Sequence, residues 1–356
     1  MKKIYTLFIV ICVAIGLNAQ SCLPGGIIFE TQAQIDNFQN NYPNCTEIEG
    51  TVEISGDDIT NLNGLSVLIT IEGWLYVMDN NSLISLTGLD NLTFIGGGLY
   101  IQGHEALTNL SGLGGLTSIG QEFAIFYNAS LISLVGLDKL TSVGAGLYIE
   151  GNTSLYSLAG LEHMTSIGED FTVNSNPSLT NLTGLTNLTS IGGWFGIEEN
   201  AALTSLTGLD SIDASSIINL YIAYNESLST CEVQSVCDYL ADPIGTIEIH
   251  DNNTGCNTSA EVENACENAS VNESSYNRSF FIYPNPSSTQ ITIEMPTTPH
   301  KNIFMAIYNM NGQQLLITQQ IKEQQTVVDI SLFPKGVYFV KVMDDKKVMV
   351  QKVVKR

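Results

Sequence analysis

Proton-transfer chemistry in this sequence would rest on four histidines and a handful of adjacent carboxylates. His104, His163, His250 and His300 are scattered and stand without a recognisable catalytic partner. Glu169-Asp170 and Glu198-Glu199 hold paired carboxyl groups of the kind that glycoside hydrolysis uses as acid and as base or nucleophile. In a segment this rich in acidic residues they read first as solvated charge. Asp251-Asn252-Asn253-Thr254-Gly255 begins like a calcium loop but lacks the distal glutamate, and reads as a turn. Gly-x-Ser-x-Gly, His-Glu-x-x-His, Gly-x-x-x-x-Gly-Lys and the dinucleotide glycine pattern are all absent. The expectation is a protein that is not an enzyme and uses neither cofactor nor metal.

Aromatic side chains offer binding instead. Trp74, Tyr76, Tyr100, Phe126, Tyr148, Trp194 and Tyr221 each stand at or beside a short apolar alternation such as Leu99-x-Ile101 or Leu147-x-Ile149. If the leucine and isoleucine point inward, Tyr100 and Gln102 point outward, because successive strand residues face opposite sides. Aromatics exposed in neighbouring strands make a stacking surface for sugar rings or a protein partner. The bland alternative is that the rings merely cover the sheet.

What would align those strands is a repeat. Gly-Leu pairs recur at Gly64, Gly88, Gly112, Gly136, Gly160, Gly184 and Gly208, every interval being 24 residues. Leucines two residues earlier (Leu62 to Leu206) and an apolar column from Ile71 to Ile191 keep the same period. A fixed period of this length means a solenoid, in which each unit buries its apolar face against the next. Twenty-four residues leave room for two or three short strands and tight turns. Glycines after the isoleucine column (Gly96, Gly120, Gly144, Gly168, Gly192) suit a corner needing positive φ or close backbone approach. An asparagine column (Asn80, Asn128, Asn152, Asn176, Asn200, Asn225), with His104 in its gap, reads as buried amides bonding backbone. A threonine column (Thr93, Thr117, Thr141, Thr165, Thr189) raises ice or crystal-surface binding as an alternative function.

Composition sets the setting. Residues 21–277 hold 31 acidic residues and one base, Lys139, whereas residues 278–356 hold ten bases and five acids. The change of sign marks a domain boundary near 278, and the acidic part excludes nucleic acid as a partner. Lys2-Lys3, the apolar run Ile4–Leu17 and Ala19 describe a signal peptide over residues 1–19, leaving no transmembrane anchor after cleavage. Export makes disulfides of the six remaining cysteines: Cys22 with Cys45, and Cys231, Cys237, Cys256 and Cys266 in one of three connectivities. They flank the repeat, where a solenoid needs closed ends. Thr31-Gln32-Ala33-Gln34 is a capping-box start with Ile35 and Phe38 on one helix face. Val233, Val236, Cys237 and Leu240 have helical spacing before Pro243, and a second short helix opens at Thr258.

The Leu-x-x-Leu-x-Gly-Leu and Leu-x-Ile-x-x-Asn units resemble leucine-rich repeats, and the 24-residue turn between disulfide-tied ends is similar to the receptor L domain. The resemblance implies a ligand-binding scaffold over residues 20–267. After a linker at 268–279, runs at 290–295, 303–308, 315–318, 327–330, 337–342 and 348–354 predict a small β-sandwich. Tyr283-Pro284-Asn285-Pro286, Ile307–Gly312, Leu332–Tyr338 (with Gly336) and the closing Lys352–Arg356 resemble the C-terminal sorting domain of the type IX secretion system. That resemblance implies handling of residues 280–356 by the secretion machinery and a secreted or cell-surface protein. The expected fold is mainly β: a right-handed β-solenoid of about seven LRR-like turns with short helical disulfide caps, plus an Ig-like β-sandwich. The expected function is non-enzymatic binding or adhesion to an extracellular glycan or protein, with a secreted glycoside hydrolase-like enzyme as a further alternative.

Overall fold

The computed structural model describes residues 21–269, 280–295, 303–309, 313–343 and 348–356. The signal-peptide reading, His300 and the Asn311-Gly312 turn lie outside them. The chain divides into two compact units, one ending at Ala269 and one beginning at Ser270.

In the first unit the 24-residue period becomes two parallel sheets running the length of a solenoid. The long sheet has ten strands, from Ile27–Phe29 through Leu75–Met78, Leu99–Gln102, Phe123–Phe126, Leu147–Glu150, Phe171–Asn174 and Trp194–Glu198 to Ile247–His250. The second has eight two-residue strands, from Ser21–Cys22 to Ser190–Ile191. Register follows the repeat: Leu99 pairs with Phe123, and Leu147 with Phe171. The stack is thus longer than the seven Gly-Leu pairs suggest, because coils continue beyond both ends of the strict repeat. Leu86, Leu110, Leu134, Leu147 and Ile149 are fully buried in one continuous core. Burial of this column is the main stabilising term, at about 25 cal/mol per Å² of apolar surface.

A solenoid corner turns the backbone away from its own hydrogen bonds, and the asparagine column repairs this. Asn176 donates from Nδ2 to the carbonyls of Ile149 and Asn174, both at 2.9 Å, and its Oδ1 accepts the Asn152 backbone N–H at 3.1 Å. The same pattern links Asn152, Asn200 and Asn225 to their neighbours. The residue before each rung adopts left-handed φ, as at Tyr127 (+54°) and Glu199 (+55°). Positive φ falls at this corner and at glycines such as Gly136 (+113°). The glycines after the isoleucine column answer to close approach instead: a Cβ on Gly144 would lie 2.2 Å from the Gly120 carbonyl oxygen.

His104 fills the gap in the column by imitating both halves of an asparagine amide. Its Nε2 lies 3.0 Å from the Val77 carbonyl and so carries the proton. Its Nδ1 then accepts the Asn80 N–H at 3.3 Å. Burial pushes its pKa below the ordinary value, although the two backbone partners act in the opposite sense. The unfolded chain therefore binds more protons below about pH 6.5, and stability falls as pH drops through that value. His104→Asn is expected to keep the ladder and remove this histidine's contribution to the acid sensitivity. Urea midpoints of both proteins at pH 8 and pH 5 check it; equal losses in the two would contradict the role.

The ends are closed as their composition predicts. Thr31 caps the helix Gln32–Asp36 with a complete capping box, and Ile35 and Phe38 are buried against the first coils. At the far end stand the helices Gln234–Ala241 and Ser259–Ala269. Disulfides join Cys22 to Cys45, Cys231 to Cys256, and Cys237 to Cys266, which selects one of the three connectivities open in the sequence.

The second unit is a sandwich of two antiparallel sheets with its own core of Ile291, Ile293, Met305, Ile307, Val340, Val342 and Val353. Phe281–Tyr283, outside the runs expected from the sequence, is itself a strand and pairs with Gln290–Glu294.

Candidate functional site

The outward side of the ten-stranded sheet carries the aromatic residues, because alternation puts their neighbours in the core. Tyr76, Tyr100, Tyr148 and Tyr221 are half-buried outward residues between buried ones. Tyr76 pairs with Tyr100, but Ala124 holds the equivalent place in the next strand, and Phe126 stands two residues further on, in register with Gln102 and Glu150. The seven candidates therefore divide. Trp74, Tyr76, Tyr100 and Phe126 form one cluster: the Trp74 and Tyr76 rings are stacked at 5.9 Å, Tyr76 and Tyr100 lie 5.2 Å apart, and Tyr100 meets Phe126 at 6.1 Å. Trp194 and Tyr221, 6.1 Å apart, form another. Tyr148 lies between the two.

Three residues absent from the sequence-based set extend these clusters. Tyr127 adjoins Phe126 at 6.3 Å, and Tyr224 and Tyr221 both meet the His250 ring edge-on, at 5.2 and 5.7 Å. Tyr127 and Tyr224 occupy the left-handed corner column, so the only available signal was their place immediately before a ladder asparagine.

Several rings lie down on the sheet where the sequence supplies glycine. A Cβ on Gly98 would meet the Trp74 ring at 2.1 Å, one on Gly146 the Tyr148 ring at 2.4 Å, and one on Gly151 the Tyr127 ring at 2.4 Å. Flat-lying rings leave a face toward solvent, and Trp194 and Tyr127 are 44% and 56% exposed. Carboxylates hold the phenols in place. Tyr100 donates to Glu122 at 2.6 Å, Tyr127 to Glu150 at 2.8 Å, and Tyr148 to Asp170 at 3.4 Å. Burial, with Asp170 and Glu122 nearby, pushes the Tyr148 phenol up to about 12, and burial with Glu122 raises Tyr100 in the same way. The phenols thus stay protonated donors at any physiological pH. Burial and the like charges of Glu199 and Glu150 push the Glu198 carboxyl above the usual range.

The other candidate chemistries fare differently. His104 is spent in the ladder, and His250 pairs with Asp251 at 2.8 Å. Asn252, within the segment read as a turn, is the last rung, accepting the Asn225 N–H at 3.0 Å. In the threonine column each hydroxyl donates to the carbonyl one coil back, as Thr141 does to Thr117 at 3.1 Å and Thr165 to Thr141 at 3.0 Å. Those protons brace the stack. Among the described residues no group of three or more His, Cys, Asp or Glu is arranged to hold a metal.

The second functional element is at the C-terminus. Asn285 donates from Nδ2 to the Lys352 carbonyl at 2.8 Å and accepts the Val354 N–H at 2.9 Å. Ser287 continues the contact through its N–H to the Val354 carbonyl. Tyr283 bonds Glu294 at 2.8 Å and Gln325 at 3.1 Å, while the flanking Pro284 and Pro286 are exposed. Gly336 pairs with Lys355, whose ammonium reaches the Ser288 carbonyl. Tyr338 is buried and donates to the Pro334 carbonyl at 2.6 Å. The Tyr-Pro-Asn-Pro segment, 67 to 69 residues away, and the Leu332–Tyr338 motif therefore both meet the closing strand; Gly312 lies outside the described residues. Residues 281–356 match the family model of the secretion system C-terminal sorting domain. The sorting domain marks a protein exported by the type IX secretion system to the cell surface or the medium, and implies contact with that machinery. No helix among the described residues is long and apolar enough to cross a membrane. Residues 44–111 match the receptor L domain model. No curated protein matches the chain. Among solved structures, InlP of Listeria monocytogenes is similar at 13% identity and a TM-score of 0.36, covering 93% of this chain and 88% of its own. An internalin-like protein of the same organism reaches 0.30 at 13% identity, with 93% and 87% covered.

Proposed function

We propose that the solenoid is a non-enzymatic recognition or adhesion module, and that the outward face of its ten-stranded sheet is where an extracellular ligand docks. The observation that carries this is the ring arrangement: Trp74, Tyr127 and Tyr148 are seated on glycine backbone with carboxylates holding two of the three hydroxyl-bearing or indole rings in place, so the surface is formed before any ligand arrives. Preformed aromatic area binds without the ordering cost that loops pay. A sheet that needed only covering would be served by aliphatic or threonine side chains, and Thr172 does so in the Tyr148 row.

Binding of the full-length protein to glycan and extracellular-protein arrays tests this. Tyr100→Ala with Tyr148→Ala is expected to weaken any specific hit at least about tenfold, in line with loss of two central aromatic contacts. The fold should persist, since neither ring lies in the core. Unchanged binding by a folded double variant would refute this choice of face.

A further inference from the structure

We propose that the ligand of this face is cationic: an extended polypeptide segment or loop bearing several arginines, whose guanidinium groups stack on the rings and fork onto the carboxylates between them. The inference rests on the binding role proposed for the strand face and names the class of partner.

The charge balance of the face points that way. Its middle strands carry carboxylates at both ends: Glu122 and Asp170 stand just before strand starts, Glu150 and Glu198 at strand ends, and Glu199 at the corner that follows. Their partners within the solenoid are neutral: the phenols of Tyr100, Tyr127 and Tyr148, the hydroxyl of Ser175 and the Trp194 backbone N–H. His250 pairs with Asp251 at the far edge of the sheet. Lys139, the sole Lys or Arg of residues 21–277, stands in a turn away from the strands. No Lys or Arg stands among these like charges; burial first, then Glu199 and Glu150, makes Glu198 harder to ionise, with His250 acting in the opposite sense. A cation arriving there relieves repulsion already present.

The rings select among cations. Trp and Tyr faces attract cations within about 6 Å, and arginine adds a planar stack and a two-pronged hydrogen bond to carboxylate. Trp194 starts the strand that ends at Glu198, and its backbone N–H is bonded to Asp170 at 2.8 Å. An indole and two carboxylates are thus presented on adjoining strands. The clusters around Trp74 and Trp194 are five coils apart, roughly 24 Å at 4.8 Å per strand, which an extended chain of seven or eight residues spans. A small cation would reach only one of them.

Both tryptophans of the sequence, Trp74 and Trp194, stand on this face, so intrinsic fluorescence reports on it directly. Full-length protein is titrated with a nine-residue arginine peptide, with N-acetylchitohexaose as a neutral sugar and a nine-residue glutamate peptide as the opposite charge. The arginine peptide is expected to change the tryptophan emission and the other two are not. Glu150→Gln, Glu198→Gln and Glu199→Gln together should weaken it at least tenfold. Asp138→Asn, Asp242→Asn and Glu263→Gln, which remove as much charge away from the strands, should cost less than twofold. Equal losses in the two triple variants would reduce the effect to net charge and overturn the proposal. Binding of the neutral sugar but not of the arginine peptide would remove the cation and leave the face as a binding surface. Silence toward the arginine peptide, the sugar and every array ligand would remove both.

Discussion

Asn176→Ala is expected to destabilise the solenoid by about 3–5 kcal/mol and to lower its melting temperature by about 10 °C. The residue is fully buried, and its removal strands the Asn152 N–H, breaks the Asn152 Nδ2 bond and takes a donor from the carbonyls of Ile149 and Asn174, the second of which keeps the Gly151 N–H. Each donor or acceptor left without a partner in the interior of the stack costs its desolvation penalty. Asn176→Asp separates hydrogen bonding from shape. It keeps the size but turns two donor positions into lone pairs facing carbonyls, and buries a charge besides. It should therefore cost more than alanine at pH 7. Burial raises the folded pKa of that aspartate above about 3.9, so the penalty relative to wild type should shrink as pH falls and the carboxyl takes up a proton. Urea unfolding followed by circular dichroism at pH 7 and pH 5 measures both effects. An alanine variant within 1 kcal/mol of wild type would mean that the ladder decorates the corner and does not hold it.

Truncation after residue 277 is expected to abolish appearance at the cell surface and in the medium while leaving a folded solenoid behind in the cell. The two units have separate cores, so the loss of one does not unpack the other. A subtler change should act in the same direction. Asn285→Ala removes the two bonds that fasten the Tyr-Pro-Asn-Pro segment to Lys352 and Val354, and should reduce surface display without touching the solenoid. Immunoblots of fractionated cells report both. Wild-type amounts of the truncated chain outside the cell would contradict a sorting role for the second unit.

How much of this was legible in sequence depends on where the period is strict. Between Gly64 and Gly208 adding 24 gives the structural register without error, so the leucine columns and the outward position of Tyr148 could be read directly. Where the interval changes, the reading falters. Asn252 bonds Asn225 as the next rung, but the spacing of 27 hides it, and the same change conceals the final strand Ile247–His250. The capping box at Thr31 is local chemistry and was visible; the choice among Cys237, Cys256 and Cys266 as partner of Cys231 depends on how two helices fold over the last coil and was not. Tyr127 and Tyr224 were missed for a backbone reason. Left-handed corners favour glycine or asparagine, so tyrosine there gives no pattern that marks it as part of a surface. The carboxylates were legible as charge but not as neighbours, since Glu122 and Tyr100 meet only through the pairing of adjacent strands.

The most direct measurement of the central claim is hydroxyl-radical footprinting of the protein alone and with whichever ligand the binding screens return. Tyr156, 58% exposed and outside the strands of the sheet, is the internal control. Protection of Trp194, Tyr221, Tyr127 and Tyr148 with Tyr156 unchanged is the expected result. Protection of Tyr156 with those four residues oxidised as in the free protein would place the ligand elsewhere and contradict the account.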